Sequence, residues 1–149
     1  MPAAFVLRSS DMLWLVFAGL GFVVMVPLVS FIMASSSGWS LLAEKYRACE
    51  RPRTPRKVDG GRVGTVTYRG SLSVSAQSGG FTLSVLLPFR IAHPPLFIPW
   101  SAVTESESQF MGQRAIAFRV HSVPEAIIEL PIATAHWLKS ASAASEVAT

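Results

Sequence analysis

The longest apolar run in the chain extends from Met12 to Ala34 and contains no charged residue. A helix over residues 12–34 would be about 34 Å long, which is enough to cross a hydrocarbon core of about 30 Å. Its apolar residues would lie on every side of the helix, which a small domain cannot cover. The pattern therefore predicts a transmembrane helix over residues 12–34, preceded by a short flank, residues 1–11.

A cleaved secretory signal peptide is the main alternative for this run. Arg8 precedes it, and small residues follow Ala34. However, the run is longer than the apolar core of a signal peptide, which has about 7–15 residues, and Asp11 weakens the basic flank. We therefore favour a retained membrane span.

A short amphipathic segment follows the span. Trp39, Leu42, Ala43 and Tyr46 fall on one face at helical spacing. A helix this short is not stable alone, so Trp39 needs a surface that covers it. Two alternatives stay open: the helix lies on lipid headgroups, or it packs against the domain that follows.

A basic linker completes residues 35–59. Between Lys45 and Arg69 there are eight basic residues and two acidic ones, within a chain of net charge +4. The positive-inside rule places this side in the cytoplasm, which predicts an inner (cytoplasmic) membrane protein with a cytoplasmic C-terminal domain. The same charges can attract anionic lipid, at about 1 kcal/mol per basic residue near the surface. The linker residues concerned are Arg51, Arg53, Arg56 and Lys57.

The hydrophobic period changes to two after Gly60, which indicates strands. Strands are predicted at residues 63–68, 72–76, 81–87, 96–98, 115–120 and 127–130, with residues 72–76 and 81–87 paired around Gly79-Gly80. Ser71, Ser73 and Ser75 are predicted to face water. Residues 105–112 are predicted to form a polar loop. Pro131 is predicted to open a helix that carries Trp137, and residues 141–149 to be a disordered tail.

These elements predict a membrane-anchored α+β protein. One N-terminal transmembrane helix would precede a small antiparallel β-sheet or barrel, residues 60–140, closed by a C-terminal helix. The evidence for the sheet is clearest in the alternating residues on either side of Gly79-Gly80, which predict a hairpin. Trp137 is expected to close the open end of the core.

Two segments carry a family resemblance. GWSLLAEKY, from Gly38, and HPPLFIPWS, His93 to Ser101, resemble a family of small uncharacterised bacterial single-span membrane proteins. The strand series with one C-terminal helix resembles the pleckstrin-homology-like (PH-like) architecture. The resemblance covers residues 38–138, and it implies no catalytic residue because the family has no assigned activity.

No constellation for catalysis, cofactor binding or metal binding is found in the sequence. The three histidines lack ligand-like spacing, Cys49 is the only cysteine, and no GxSxG motif occurs. The excess of basic residues lies between Lys45 and Arg69 rather than over a folded face, which argues against nucleic acid as a partner. We predict a protein that is not an enzyme and uses no cofactor. A small hydrolase or metal-dependent enzyme using His93 is one alternative, and a structural subunit of a membrane complex is another.

The remaining candidates are interaction residues. The segment from His93 to Trp100 could present an apolar patch, or its aromatic residues could fill the core of a small domain. The predicted function is a membrane-tethered interaction module that spans the lipid bilayer and binds a membrane protein partner or anionic lipid. The candidate interaction residues are Trp39, Tyr46, Arg51, Arg53, Arg56, Lys57, His93, Pro94, Pro95, Phe97 and Trp100.

Overall fold

The computed structural model describes residues 9–49 and 56–147, which form an α+β fold. Helix α1 (Ser9–Ser36) and the short helix α2 (Trp39–Tyr46) precede the strands, and helix α3 (Ile132–Val147) follows them. The seven strands are β1 (Arg56–Val63), β2 (Val66–Gln77), β3 (Gly80–Val85), β4 (Leu96–Pro99), β5 (Val103–Phe110), β6 (Gln113–Val120) and β7 (Ile127–Pro131).

The strands form one antiparallel sheet that curls into a half-barrel, in the order β4-β3-β2-β1-β7-β6-β5. Strand β1 lies at the centre, where Arg62 pairs with Glu129 of the last strand. The proline-rich strand β4 lies at one edge, as expected for a strand whose prolines cannot donate ladder hydrogen bonds. The concave face holds the core.

Helix α1 contains the whole predicted span. It is long and apolar enough to cross a membrane, although length and composition are by themselves weak evidence of a span. Only three of its residues are buried, namely Val26, Ser30 and Ala34. Most of its large apolar side chains are therefore exposed on the isolated chain.

The predicted hairpin around Gly79-Gly80 is confirmed, although its second strand ends at Val85 and not at residue 87. Leu72 pairs with Val85 and Ala76 with Phe81, and Gly79 takes a positive φ of 75° in the turn. The apolar side chains of this hairpin are fully buried. They pack with Phe118 of β6 and with residues of β7 to form the core.

Two strand predictions need correction. Residues 63–68 are not one strand, because Val63 pairs with Val66 across a tight turn at Gly64, whose φ is 55°. Residues 105–112 were predicted to be a loop, but strand β5 extends from Val103 to Phe110 and pairs along its length with β6. Most of its side chains are exposed, so the backbone ladder rather than apolar burial holds the strand in place.

The serines of β2 are also placed differently from the prediction. Ser73 and Ser75 are buried, and Ser71 is half-buried. Strand β2 is thus covered on both faces over this stretch, whereas the alternating pattern predicts one face open to water.

Helix α3 corrects the predicted disordered tail. The helix continues to Val147, and residues 148–149 lie outside the described part of the chain. Ser142 ties the helix to the sheet, since its hydroxyl donates to the Gln77 carbonyl at 2.7 Å and accepts from Trp100 Nε1 at 2.8 Å. Leu138 is fully buried, whereas Trp137 is only half-buried, so Trp137 is not the plug that the sequence predicts.

Candidate functional site

Four buried side chains meet where α1, α2 and the sheet come together. Ser37 lies between the two helices, Trp39 begins α2, Tyr68 projects from β2, and His93 follows the 3₁₀ turn Phe89–Ala92. All four are at most 1% exposed. We call these four residues the junction cluster.

Rings and hydrogen bonds hold the junction cluster together. The Trp39 ring lies 5.1 Å from the His93 ring and 5.9 Å from the Tyr68 ring, centroid to centroid. Trp39 Nε1 donates to the Pro94 carbonyl at 2.9 Å. Ser37 Oγ accepts the Trp39 backbone N–H at 3.3 Å and lies 3.4 Å from the Tyr68 hydroxyl. The cluster therefore joins the end of α1 to the β domain.

The partners of His93 define its tautomer. Its Nδ1 lies 2.7 Å from the Phe89 carbonyl oxygen, which can only accept, so Nδ1 carries a proton. Nε2 then accepts the Tyr68 O–H at 2.8 Å in the neutral ring. Burial lowers the pKa of His93 by more than the hydrogen bond to Phe89 raises it. Burial also raises the pKa of Tyr68, so both side chains are neutral near pH 7.

This arrangement suits a structural role for His93. A general base must reach a substrate proton directly or through one water. Both ring nitrogens are engaged by protein atoms, and the side chain has no exposed surface. Catalysis by His93 would require the junction cluster to open.

The buried neutral His93 predicts that stability depends on pH. Its folded pKa is lowered, so its contribution is complete above the unfolded value of about 6.5 and is lost as pH falls through the folded pKa. We expect the free energy of unfolding of the full chain to decrease below about pH 6.5, by up to about 1.4 kcal/mol per pH unit. Urea unfolding in detergent from pH 8 to pH 5 measures this slope.

The matched control for the pH slope is His93→Gln, which cannot titrate. The variant is expected to be less stable at pH 8, because a buried hydrogen-bonded network is disturbed. Its stability should nevertheless change much less between pH 7 and pH 5. An equal slope in both proteins would contradict the assignment to His93.

The β1–β2 turn clamps the junction from the other side. Thr65 Oγ1 donates to the Ser36 carbonyl at 2.8 Å, and the Gly64 N–H donates to the Ile127 carbonyl at 2.8 Å. A Cβ at Gly64 would lie 2.4 Å from the Ser37 carbonyl oxygen. Glycine is therefore required here both by its positive φ and by the close approach of the helix connection.

A second buried polar cluster lies within the sheet. Glu129 of β7 accepts hydrogen bonds from Arg62 of β1 and Ser108 of β5. Burial by itself would raise the pKa of Glu129, but the bonds from Arg62 and Ser108 outweigh it and hold this pKa below its usual value. Thr134 of α3 likewise donates to Asp59 of β1. These contacts tie three strands and the last helix together.

The open question about α2 is settled by burial. Trp39 is fully buried against the β domain, so it does not lie on lipid headgroups. Tyr46 is half-buried, and its hydroxyl lies 2.7 Å from Ser122 Oγ. The amphipathic helix thus packs on the domain that follows it.

The predicted patch from His93 to Trp100 is divided between core and surface. His93 is in the junction cluster, and the Pro94 and Pro95 carbonyls accept bonds from Trp39 Nε1 and from the Ala48 N–H, at 2.9 Å each. Trp100 packs against Phe81 and Phe118, with centroids 4.9 and 6.0 Å away. It therefore contributes to the core, and Phe97 is half-buried on β4.

The basic linker is described only in part. Arg51 and Arg53 lie outside the described residues, as does the side chain of Arg56. Lys57 is partly exposed and lies 3.8 Å from the Asp59 carboxylate. Lys57 is thus the only basic candidate whose side chain lies within the described part of the chain.

Sequence reasoning missed three residues that organise these clusters: Ser37, Tyr68 and Glu129. The sequence carried one signal for them, an acidic residue inside the apolar stretch IIELP. A carboxylate in a buried strand needs a partner, which is Arg62 here. Nothing in the sequence links Tyr68 with His93, since they are 25 positions apart.

Neither a metal site nor a known relative indicates the function, which is therefore argued from the contacts described above. Among residues 9–49 and 56–147, no group of three or more His, Cys, Asp or Glu side chains could hold a metal ion. No family model, no curated protein and no solved structure matches the chain.

Proposed function

We propose that this protein is a non-enzymatic interaction module tethered to the cytoplasmic face of a membrane by α1. The observation that carries the proposal is the contrast between α1, which is apolar and exposed over most of its length, and the junction cluster, which joins its end to a folded domain. An apolar helix of this length is stable in lipid and costly in water. A rigid junction would hold the β domain at a constant position on the bilayer.

The proposed domain type is PH-like. In its support, seven antiparallel strands are followed by one helix that packs on the concave sheet. The hydrogen bonds of His93 and Glu129 favour an interaction module over an enzyme. Both side chains are buried, and each already binds a neighbouring protein group. Small domains of this kind can present their surface loops to a partner while the sheet stays rigid.

The proposed orientation rests on the charge asymmetry around α1. Arg8 is the only basic residue before the helix, whereas basic residues are concentrated between Lys45 and Arg69. Positive charge is retained on the cytoplasmic side during insertion. A reporter that is active only in the cytoplasm, fused after Thr149, tests the orientation directly.

The proposed ligand at this face is anionic lipid, bound through the basic linker. The test uses the full chain in vesicles, with a fluorophore at Thr54→Cys in a Cys49→Ala background. Lipids that carry a quencher on the headgroup should reduce the emission of this fluorophore more in anionic than in neutral bilayers. The difference should shrink as salt rises, because charges are screened over about 10 Å at 0.1 M. Vesicles of neutral lipid and of one-third anionic lipid provide the comparison.

The matched control replaces Arg51, Arg53, Arg56 and Lys57 with glutamine. This variant should lose the difference between anionic and neutral vesicles. If quenching in the unaltered linker is independent of both lipid charge and salt, lipid is not its ligand. A protein partner would then be the better proposal for this face.

A further inference from the structure

The turn from Leu86 to Ala92 combines exposed apolar side chains with contact to α1. It follows β3 and includes the 3₁₀ turn Phe89–Ala92, which packs against α1. Phe89 and Ala92 point towards the core. Leu87 and Ile91 point away from it and are 75% and 66% exposed. The turn is thus anchored by one face and offers an apolar face to its surroundings.

The buried stripe on α1 shows where along the helix the turn lies. Val26, Ser30 and Ala34 follow one another at a spacing of four, so they form one stripe in the second half of the helix. The Phe89–Ala92 turn and α2 make the main contacts with α1. Since these are the elements that cover α1, the turn lies beside the second half of the helix, where the buried stripe is.

The position of Asp11 near the start of α1 indicates how deep in the bilayer the buried stripe would lie. If the hydrocarbon core begins just after Asp11, about 20 helical residues cross it and it ends near Phe31. Val26 is then about 8 Å inside the hydrocarbon boundary. Interfacial elements bury their apolar faces to about 5–10 Å. A turn that packs on the stripe from Val26 to Ala34 would then lie close to the hydrocarbon boundary, where acyl chains can solvate an exposed leucine or isoleucine.

We propose that Leu87 and Ile91 insert into the bilayer beside α1 and form a second membrane contact. The proposal rests on the tethering by α1 proposed above. Two basic residues are suitably placed to reach lipid phosphates: Arg90 lies within the turn, and Arg69 is exposed near Ser71, whose carbonyl accepts the Leu86 N–H at 2.9 Å. The junction cluster holds the domain in place relative to α1, and a second membrane contact would orient the two together on the bilayer.

Fluorescence quenching in lipid vesicles tests this contact on the full chain. In a Cys49→Ala background, single cysteines at Leu87, Ile91, Phe22 and Ser78 would each carry an environment-sensitive fluorophore. Phe22 lies in the exposed part of α1, and Ser78 is exposed at the β2–β3 turn, the opposite end of β3 from Leu86. Lipids brominated at shallow and at deep acyl positions quench from the bilayer, and iodide quenches from water.

The expected result is that brominated lipid quenches most of the emission from labels at Phe22, Leu87 and Ile91, while iodide quenches the label at Ser78.

Iodide quenching of the labels at Leu87 and Ile91, with the label at Phe22 still quenched by lipid, would overturn the inserted turn and leave the tether intact. Iodide quenching of Phe22 would overturn the tether and the inserted turn together. Protection of Leu87 and Ile91 from both quenchers would indicate that protein covers them, which also overturns the proposal. Leu87 and Ile91 are both exposed, so two independent labels report on the same turn without disturbing the core.

Discussion

Replacing Trp39 with alanine is expected to destabilise the protein by about 3–5 kcal/mol, as large aromatic deletions from cores do. The indole is fully buried and in contact with the rings of Tyr68 and His93. Its Nε1 also satisfies the Pro94 carbonyl at 2.9 Å. The substitution would leave a cavity and an unpaired acceptor at the same place. Small domains have a total stability of about 5–15 kcal/mol, so a loss of this size could unfold much of the population.

The matched control is Trp14→Ala, which removes an indole that is 75% exposed on α1. Urea unfolding of the full chain in detergent should show little change for this variant and a large decrease in the unfolding midpoint for Trp39→Ala. Trp39→Phe should fall between the two, because it keeps a ring but loses the hydrogen bond to Pro94. Equal midpoints for Trp39→Ala and Trp14→Ala would show that the junction cluster does not hold α2 to the sheet.

Replacing Leu138 with alanine is expected to cost about 2–5 kcal/mol. Leu138 is fully buried between α3 and the sheet, together with Ala135. Trp137 is the larger side chain, but it is only half-buried, so Trp137→Ala is expected to cost about 1 kcal/mol, near the average for point substitutions. Thermal unfolding followed by near-ultraviolet circular dichroism compares the two variants.

The order of the two effects is the informative result. A larger loss for Leu138→Ala supports closure of the sheet by the buried face of α3. A larger loss for Trp137→Ala would mean that the tryptophan closes the core, as the sequence pattern suggests. Lys139→Ala is a useful third variant, because Lys139 lies on the exposed side of the same helix and pairs with Glu105 of β5. Surface ion pairs contribute about 0–1 kcal/mol, so this variant should remain close to the native protein.

If both substitutions behave as expected, α1 and α3 are held to the β domain by different means. The junction cluster fixes the end of α1 through rings and buried hydrogen bonds, and α3 covers the concave face through aliphatic contacts. The junction contribution should decrease at acidic pH, because protonation of His93 competes with its bond from Tyr68. The α3 contacts between Leu138 and the sheet carry no such dependence.

Local patterns in the sequence were sufficient for the elements that depend on near neighbours. The apolar run of α1, the helix at Trp39–Tyr46, the β2–β3 hairpin and the short strand at residues 96–98 were all predicted and are confirmed as elements. In each case the signal is local: an uncharged run, a helical spacing, a glycine turn between alternating residues, or prolines that cannot donate. Strand β5 was missed because its stability comes from the ladder with β6, and its own side chains carry no apolar alternation.

Only the tertiary structure decided which residues share a site. The sequence determined that a long apolar helix precedes a small β-rich domain, because hydrophobic periodicity is a property of neighbouring residues. Trp39 and His93 were candidate interaction residues, yet packing buries both beside Tyr68. The pairing of Glu129 with Arg62 and the contact of the Phe89–Ala92 turn with α1 join segments that are distant in sequence. Burial and long-range contact arise when distant segments meet, and the periodicity of a single segment does not encode which segments those are.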